Sequence, residues 1–175
     1  MKMAAFLLAP TLIAWVPQDF RTTAHFSVDD RVLRLQAAAA ILEQTAGRTW
    51  IHVYFYSFPF TPADVSAIAG GSVAALERKW NAGPDPNHSR AVVHMLVDKS
   101  WKLSNVALEV PGLTCTIVED PARSKRAVQS FVTDGSRVQL KAKSSTICDL
   151  TSVGGRRQRM TWNVDVSLPI FKKGG

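Results

Sequence analysis

The densest apolar run of the chain is Trp50-Ile-His-Val-Tyr-Phe-Tyr-Ser-Phe58. Its β-branched and aromatic residues suit a pleated, packed surface. At period two its faces are Trp50, His52, Tyr54, Tyr56, Phe58 and Ile51, Val53, Phe55, Ser57. Neither face is polar enough to lie in water, so the run predicts a central strand covered on both sides. Upstream, residues 23–28 alternate weakly and predict a first strand, with a turn at Asp29–Arg31. Val32 to Gln44 carries two conflicting signals. Four alanines, Asp30 as a cap and Gly47 as a stop suit a helix. Leu33, Leu35, Ala37, Ala39 and Ile41 alternate against Arg34 and Gln36, which suits strands. The alternation is preferred, so two hairpins should feed the central strand.

Beyond it, Thr61, Pro62 and Asp64 form a helix start, with a capping hydroxyl, a proline at the first turn and an acid three residues after the cap. Gly70-Gly71 breaks this helix. Ser72 caps a second one, in which Val73, Leu76 and Trp80 share a face. Asn81 to Ser89 is turn-rich. The second half reads as strands over 91–98, 102–110, 113–118 and 146–150, with a short helix from Asp120 to about Ser130. Asp134-Gly135 signals a hairpin. After it Val138, Leu140 and Ala142 oppose Arg137, Gln139, Lys141 and Lys143, the pattern of a sheet with one wet face. The last strand, Trp162 to Leu168, repeats that alternation. The expected fold is β-rich α+β: an antiparallel sheet, as a sandwich or open barrel, with short helices packed on one face.

Composition changes the picture in two places. The chain has 175 residues, enough for one domain with a substantial core, and 46% of them are hydrophobic. Its formal net charge is +7, which favours acidic partners. The basic residues are scattered, however, and the densest exposed cluster expected is Arg156, Arg157 and Arg159. The second place is the N-terminus, where Met1-Lys2-Met3 precedes an apolar run from Ala4 to Val16. That length suits a secretory signal and is too short to span a bilayer, although no A-x-A cleavage site follows. We expect a leader over 1–18, a single domain over 19–175, and a periplasmic or secreted location. Cys115 and Cys148 are the only cysteines. Export permits a disulfide between them, worth roughly 3–4 kcal/mol for a loop of about 30 residues in the chain-entropy model. The plainer reading is two buried thiols.

Candidate chemistry is sparse. There is no G-x-S-x-G, no phosphate-binding glycine loop, no H-E-x-x-H and no C-x-x-C, and no cofactor or metal is expected. His52 and His94 both fall in predicted strands. They are the candidates for an acid/base or metal pair across a sheet, with Asp98 as a third member on the face of His94. The plainer reading makes them satisfied core or edge histidines. Tyr54 and Tyr56, on the aromatic face, are the candidates for fixing an apolar ligand. The function expected is therefore a non-catalytic binding domain for a protein partner or a small apolar ligand. The alternatives are a secreted hydrolase using His52, His94 and Asp98, and a cytosolic basic nucleic-acid binder using the arginines. The last is disfavoured because no nucleic-acid-binding motif accompanies the charge.

Overall fold

The structure, a computed structural model, describes residues 20, 22, 24–29, 31–81, 89–110, 113–115, 128–150 and 156–174. For residues 31, 113–115, 144, 146–150 and 156–158 it describes the backbone alone. The strands are β1 (His25–Val28), β2 (Arg31–Arg34), β3 (Ala37–Thr45), β4 (Arg48–Tyr56), β5 (Arg90–Val97), β6 (Leu103–Val110), β7 (Leu113–Cys115), β8 (Val128–Thr133), β9 (Arg137–Leu150) and β10 (Arg156–Lys172). Two helices, α1 (Pro62–Ala69) and α2 (Ala74–Asn81), lie between β4 and β5 in sequence.

All ten strands form one sheet, ordered β2-β1-β10-β3-β4-β5-β6-β7, with the β8–β9 hairpin joined to β10. The 17-residue β10 organises it. One of its edges pairs with β9 from Arg156 to Pro169. The other pairs first with β1, where Trp162 faces Phe26, and then with β3, where Phe171 faces Ile41. The sheet curls into a half-barrel, and β7 lies against β9.

Strand alternation fills the concave side. Phe26, Phe55, Met95, Leu108, Leu140, Met160 and Trp162 are all buried there in one cluster. Phe26 links the rings, with Phe55 at 5.4 Å and Trp162 at 6.4 Å between centroids. On the convex side α1 and α2 cover β3 and the end of β4. Phe60, Ile68 and Leu76 pack there on Tyr56, Ala37, Ala39 and Ile41. This explains the alanine run. Ala38 and Ala40 face the half-barrel while Ala37 and Ala39 face the helices, so small side chains let both layers close on β3. Burial on both faces outweighs the helix propensity of alanine, a weak preference per residue.

Local helix signals hold. Thr61 caps α1, and Asp64 closes a reciprocal box with it: Thr61 N–H donates to Asp64 Oδ2 at 2.7 Å, and Asp64 N–H donates to Thr61 Oγ1 at 3.3 Å. Lys79 of α2 reaches the same carboxylate at 2.5 Å, tying the two helices together. Burial, the largest influence, pushes the Asp64 carboxyl up. The hydrogen bonds from Lys79 and Thr61 together outweigh it and hold the group below its ordinary value.

Three expectations change. The sheet is mixed rather than antiparallel, because β10 and β3 run parallel where they pair. Parallel neighbours need a long connection, and here most of the chain lies between them, so no turn signal announces the pairing. The helix expected from Asp120 to Ser130 ends in error: Val128 to Ser130 begin β8, which pairs with β9. The remainder of that helix and the leader lie outside the described residues, as does Gly154-Gly155, which the sequence marks as a turn between the last two strands. The central strand is covered on one face only in part. Tyr56 is buried beneath the helices, whereas Trp50, His52 and Tyr54 are half-buried. Among the described residues no helix is long and apolar enough to cross a membrane.

Candidate functional site

The convex face of β3 to β6 carries a continuous line of polar contacts. It starts from register. His52 on β4 lies directly opposite His94 on β5, so period-two geometry sends both side chains to the same face. Their Nδ1 atoms are 2.8 Å apart, with the rings at 78°. Glu43 is two residues beyond Ile41, the β3 partner of His52. Glu109 is two residues beyond Ala107, the β6 partner of His94. Each glutamate is therefore a diagonal neighbour on the same face. Glu43 Oε2 is 3.3 Å from His52 Nε2, and Glu109 Oε2 is 3.3 Å from His94 Nε2.

The carboxylates are anchored in turn. Lys173, in the C-terminal tail, donates to Glu43 at 2.8 Å. Arg90 bridges Glu109 and Glu77 with its two terminal nitrogens, and its guanidinium lies over the Trp80 ring at 4.5 Å. Tyr56 O–H completes the line by donating to Glu77 Oε1 at 2.5 Å. Trp50 stacks on His52 at 6.1 Å, and Tyr54 flanks it at 6.3 Å.

Two ring nitrogens at hydrogen-bonding distance require one proton between them, since one must donate and the other accept. The accepting ring then carries its hydrogen on Nε2 and can donate to its glutamate. Burial, and next the charge of His94, lower the His52 pKa to about 4, so His52 is neutral near pH 7. Glu43 is held below its ordinary value, mainly by the Lys173 hydrogen bond. Burial raises Tyr54 to about 12. Burial and then the Glu77 hydrogen bond push Tyr56 up as well. Both phenols are hydrogen-bonding groups and not bases at neutral pH.

The other sequence candidates are placed as follows. Asp98 does not join the histidines. It lies one residue past the end of β5, where its Oδ1 accepts from the backbone of Ser100 at 2.8 Å and Lys102 at 2.9 Å. The β5–β6 ladder shifts register between Leu96 and Val97, so even spacing from His94 no longer means a shared face there. Tyr56 is fully buried, while Tyr54 remains half-buried beside His52. Arg159 is exposed, and its backbone N–H bonds to Asp29 Oδ1. The side chains of Arg156, Arg157, Cys115 and Cys148 lie outside the described residues. Glu43, Glu77, Arg90 and Glu109 are the members that sequence reasoning missed. Glu109 sits in a predicted strand in an alternating pattern, the one signal available. The others depend on which strands and helix become neighbours.

A second feature lies on the convex side of β1, β2, β9 and β10. It is an open groove of about 690 Å³, lined by His25, Ser27, Val32, Lys143, Ser145 and Asn163 together with Phe26, Thr161 and Trp162. Ser27 and Thr161 hydrogen-bond across its floor. Val32 is 59% exposed. Its only charged lining residue of fixed sign is the cation Lys143. In contrast, Tyr56, a candidate for fixing an apolar ligand, fills the space between sheet and helices together with Phe60, Ile68 and Leu76.

Among the described residues no group of three or more His, Cys, Asp or Glu side chains converges to hold a metal ion. Comparison with protein-family models, curated proteins and solved structures finds no match to this chain.

Proposed function

We propose that the protein is an exported, non-catalytic binding domain whose ligand is a small, largely apolar molecule with an anionic end, held in the β1–β2–β9–β10 groove. The observation that carries this reading is the groove itself. Its volume of about 690 Å³ falls in the range of small-molecule sites, which combine apolar walls with a few oriented polar groups. The exposed side chain of Val32 supplies apolar surface, and the strand backbone at Phe26 and Trp162, whose rings point into the core, forms part of the wall. Lys143 and His25 supply positive or hydrogen-bonding tips, and Ser145, Thr161 and Asn163 supply further polar contacts. A net charge of +7 favours an anionic ligand over a cationic one. The apolar N-terminal run supports export, and the approach of β7, which ends at Cys115, to β9, which contains Cys148, supports the disulfide.

The test uses 1-anilinonaphthalene-8-sulfonate, an apolar ring system with one anionic group, titrated against the folded chain by fluorescence. We expect saturable one-site binding, weakened severalfold by Lys143→Glu and by Ser145→Trp, which fills the groove. Binding that neither substitution changes overturns the groove reading. Export is checked separately by the intact mass of protein from a bacterial host, alkylated before and after reduction. Loss of the leader, with two thiols that alkylate only after reduction, is expected. An unprocessed chain with both thiols free refutes the export part and leaves the groove measurement standing.

A further inference from the structure

We propose that His52 and His94 form a two-imidazole chelate for a late first-row divalent metal ion, Cu²⁺ foremost and Zn²⁺ second, with Glu43 and Glu109 as the carboxylates that hold the two rings. This site is on β4 and β5 and is independent of the groove.

The geometry is that of a ligand pair with its supporting shell in place. Metal-ligating histidines characteristically donate their second ring N–H to a carboxylate, which fixes ring orientation and strengthens the ligand. Both rings here have that arrangement: each Nε2 is 3.3 Å from a glutamate oxygen, and the two Nδ1 atoms face each other, sharing one proton. The glutamates are not free to swing in as substitute ligands, because Lys173 holds one and Arg90 the other. The sheet locks the ring spacing, since His52 and His94 are cross-strand partners. Their side chains are 13% and 26% exposed, so an ion can reach them.

The spacing, set here by a hydrogen bond, is close to that of two nitrogens on one ion. Two nitrogens bound at about 2.0–2.1 Å lie roughly 2.9 Å apart at a square-planar angle and about 3.4 Å apart at a tetrahedral one. The observed 2.8 Å is nearer the first. Tetragonal nitrogen and oxygen sites suit Cu²⁺, which also leads the divalent affinity order. The ion displaces the shared proton and sits to one side of the Nδ1–Nδ1 line, about 2.0 Å from each atom; the displaced proton moves to the Nε2 that lacked one, so each ring carries its hydrogen facing its carboxylate. No third histidine, cysteine or carboxylate completes the set among the described residues. The remaining positions are therefore open to water or to an exogenous ligand. This is why the site escapes a sequence search for H-x-H or H-E-x-x-H spacing: its two ligands are 42 residues apart.

The test is titration of the folded chain with Cu²⁺ and with Zn²⁺ by calorimetry, combined with pulsed electron paramagnetic resonance of the copper-loaded protein. We expect one equivalent of Cu²⁺ bound with two imidazole nitrogens in the spectrum, and weaker binding of Zn²⁺. His94→Gln should weaken Cu²⁺ binding at least tenfold. Glu109→Gln, which keeps both ligands, should weaken it by roughly tenfold, as loss of a supporting partner does. Wild-type affinity equal to that of the His52→Gln/His94→Gln double variant overturns the proposal. So does a copper spectrum lacking two imidazole nitrogens, which decides the matter on the unsubstituted chain if a variant fails to fold.

Discussion

Gly71→Ala will destabilise the fold by about 3 kcal/mol or more and lower its melting temperature by roughly 10 °C. Gly71 has φ +77°, a left-handed conformation that costs an L-residue roughly 1–2 kcal/mol. Sterics add the rest. A methyl group at Gly71 would overlap the carbonyl oxygen of Lys172, and it would lie 2.5 Å from the Gly174 nitrogen and 2.9 Å from the Lys172 carbonyl carbon. All of these are backbone atoms, so no side chain can rotate away. The displaced segment is the end of β10, which pairs in parallel with β3 and is followed by Lys173, donating to Leu42 O at 2.8 Å. Gly47→Ala is the control. Gly47 has nearly the same φ, +75°, but an added methyl meets nothing within 4 Å. It should cost only about 1–2 kcal/mol. Urea unfolding of the two variants side by side checks this, and equal losses would show that the close approach of the tail does not matter.

Trp162→Ala will cost about 3–5 kcal/mol, the range for deleting a large core aromatic. Trp162 is 1% exposed, sits in the middle of β10 and stacks on Phe26, which in turn packs on Phe55. Truncation opens a cavity where β1, β4 and β10 converge. Trp162→Phe will cost much less, because two effects oppose each other. The smaller ring loses packing volume. The indole N–H that it removes is buried without a hydrogen-bond partner among the described residues, and such a donor carries a penalty of about 1–3 kcal/mol. Denaturant midpoints for the two variants measure the difference. A Phe variant as unstable as the Ala variant would mean that the indole nitrogen contributes no penalty.

The two substitutions probe different kinds of information. Trp162 was legible: its place in the alternation with Val164, Val166 and Leu168 put it on the inner face, and there it lies. Gly71 was legible only as a helix stop. That the C-terminal tail passes over it is a fact of assembly. The histidine site divides in the same way. His52 and His94 could be named from their strands, and the structure sets them side by side. Asp98 could not be excluded by counting, because the strand ends and the ladder slips between them. Glu43 and Glu109 could not be found, since diagonal neighbours are known only once β3–β4 and β5–β6 registers are known.

What the sequence determined by itself were features whose causes lie within a few residues: the Thr61–Asp64 capping box, the Asp134-Gly135 turn, and the inside/outside code of β9 and β10. Backbone capping and period-two alternation act locally, so a short window contains them. The alternation over Ala37 to Ala40 favoured strand against the helix propensity of alanine, and burial on both faces settled it; only the tertiary structure decided that β10 would leave β1 for a parallel pairing with β3, and that Glu43, His52, His94 and Glu109 would form one line. Those outcomes depend on which surfaces meet and in what register. A strand's own residues specify that it needs neighbours on both faces and edges, but the neighbours come from distant parts of the chain.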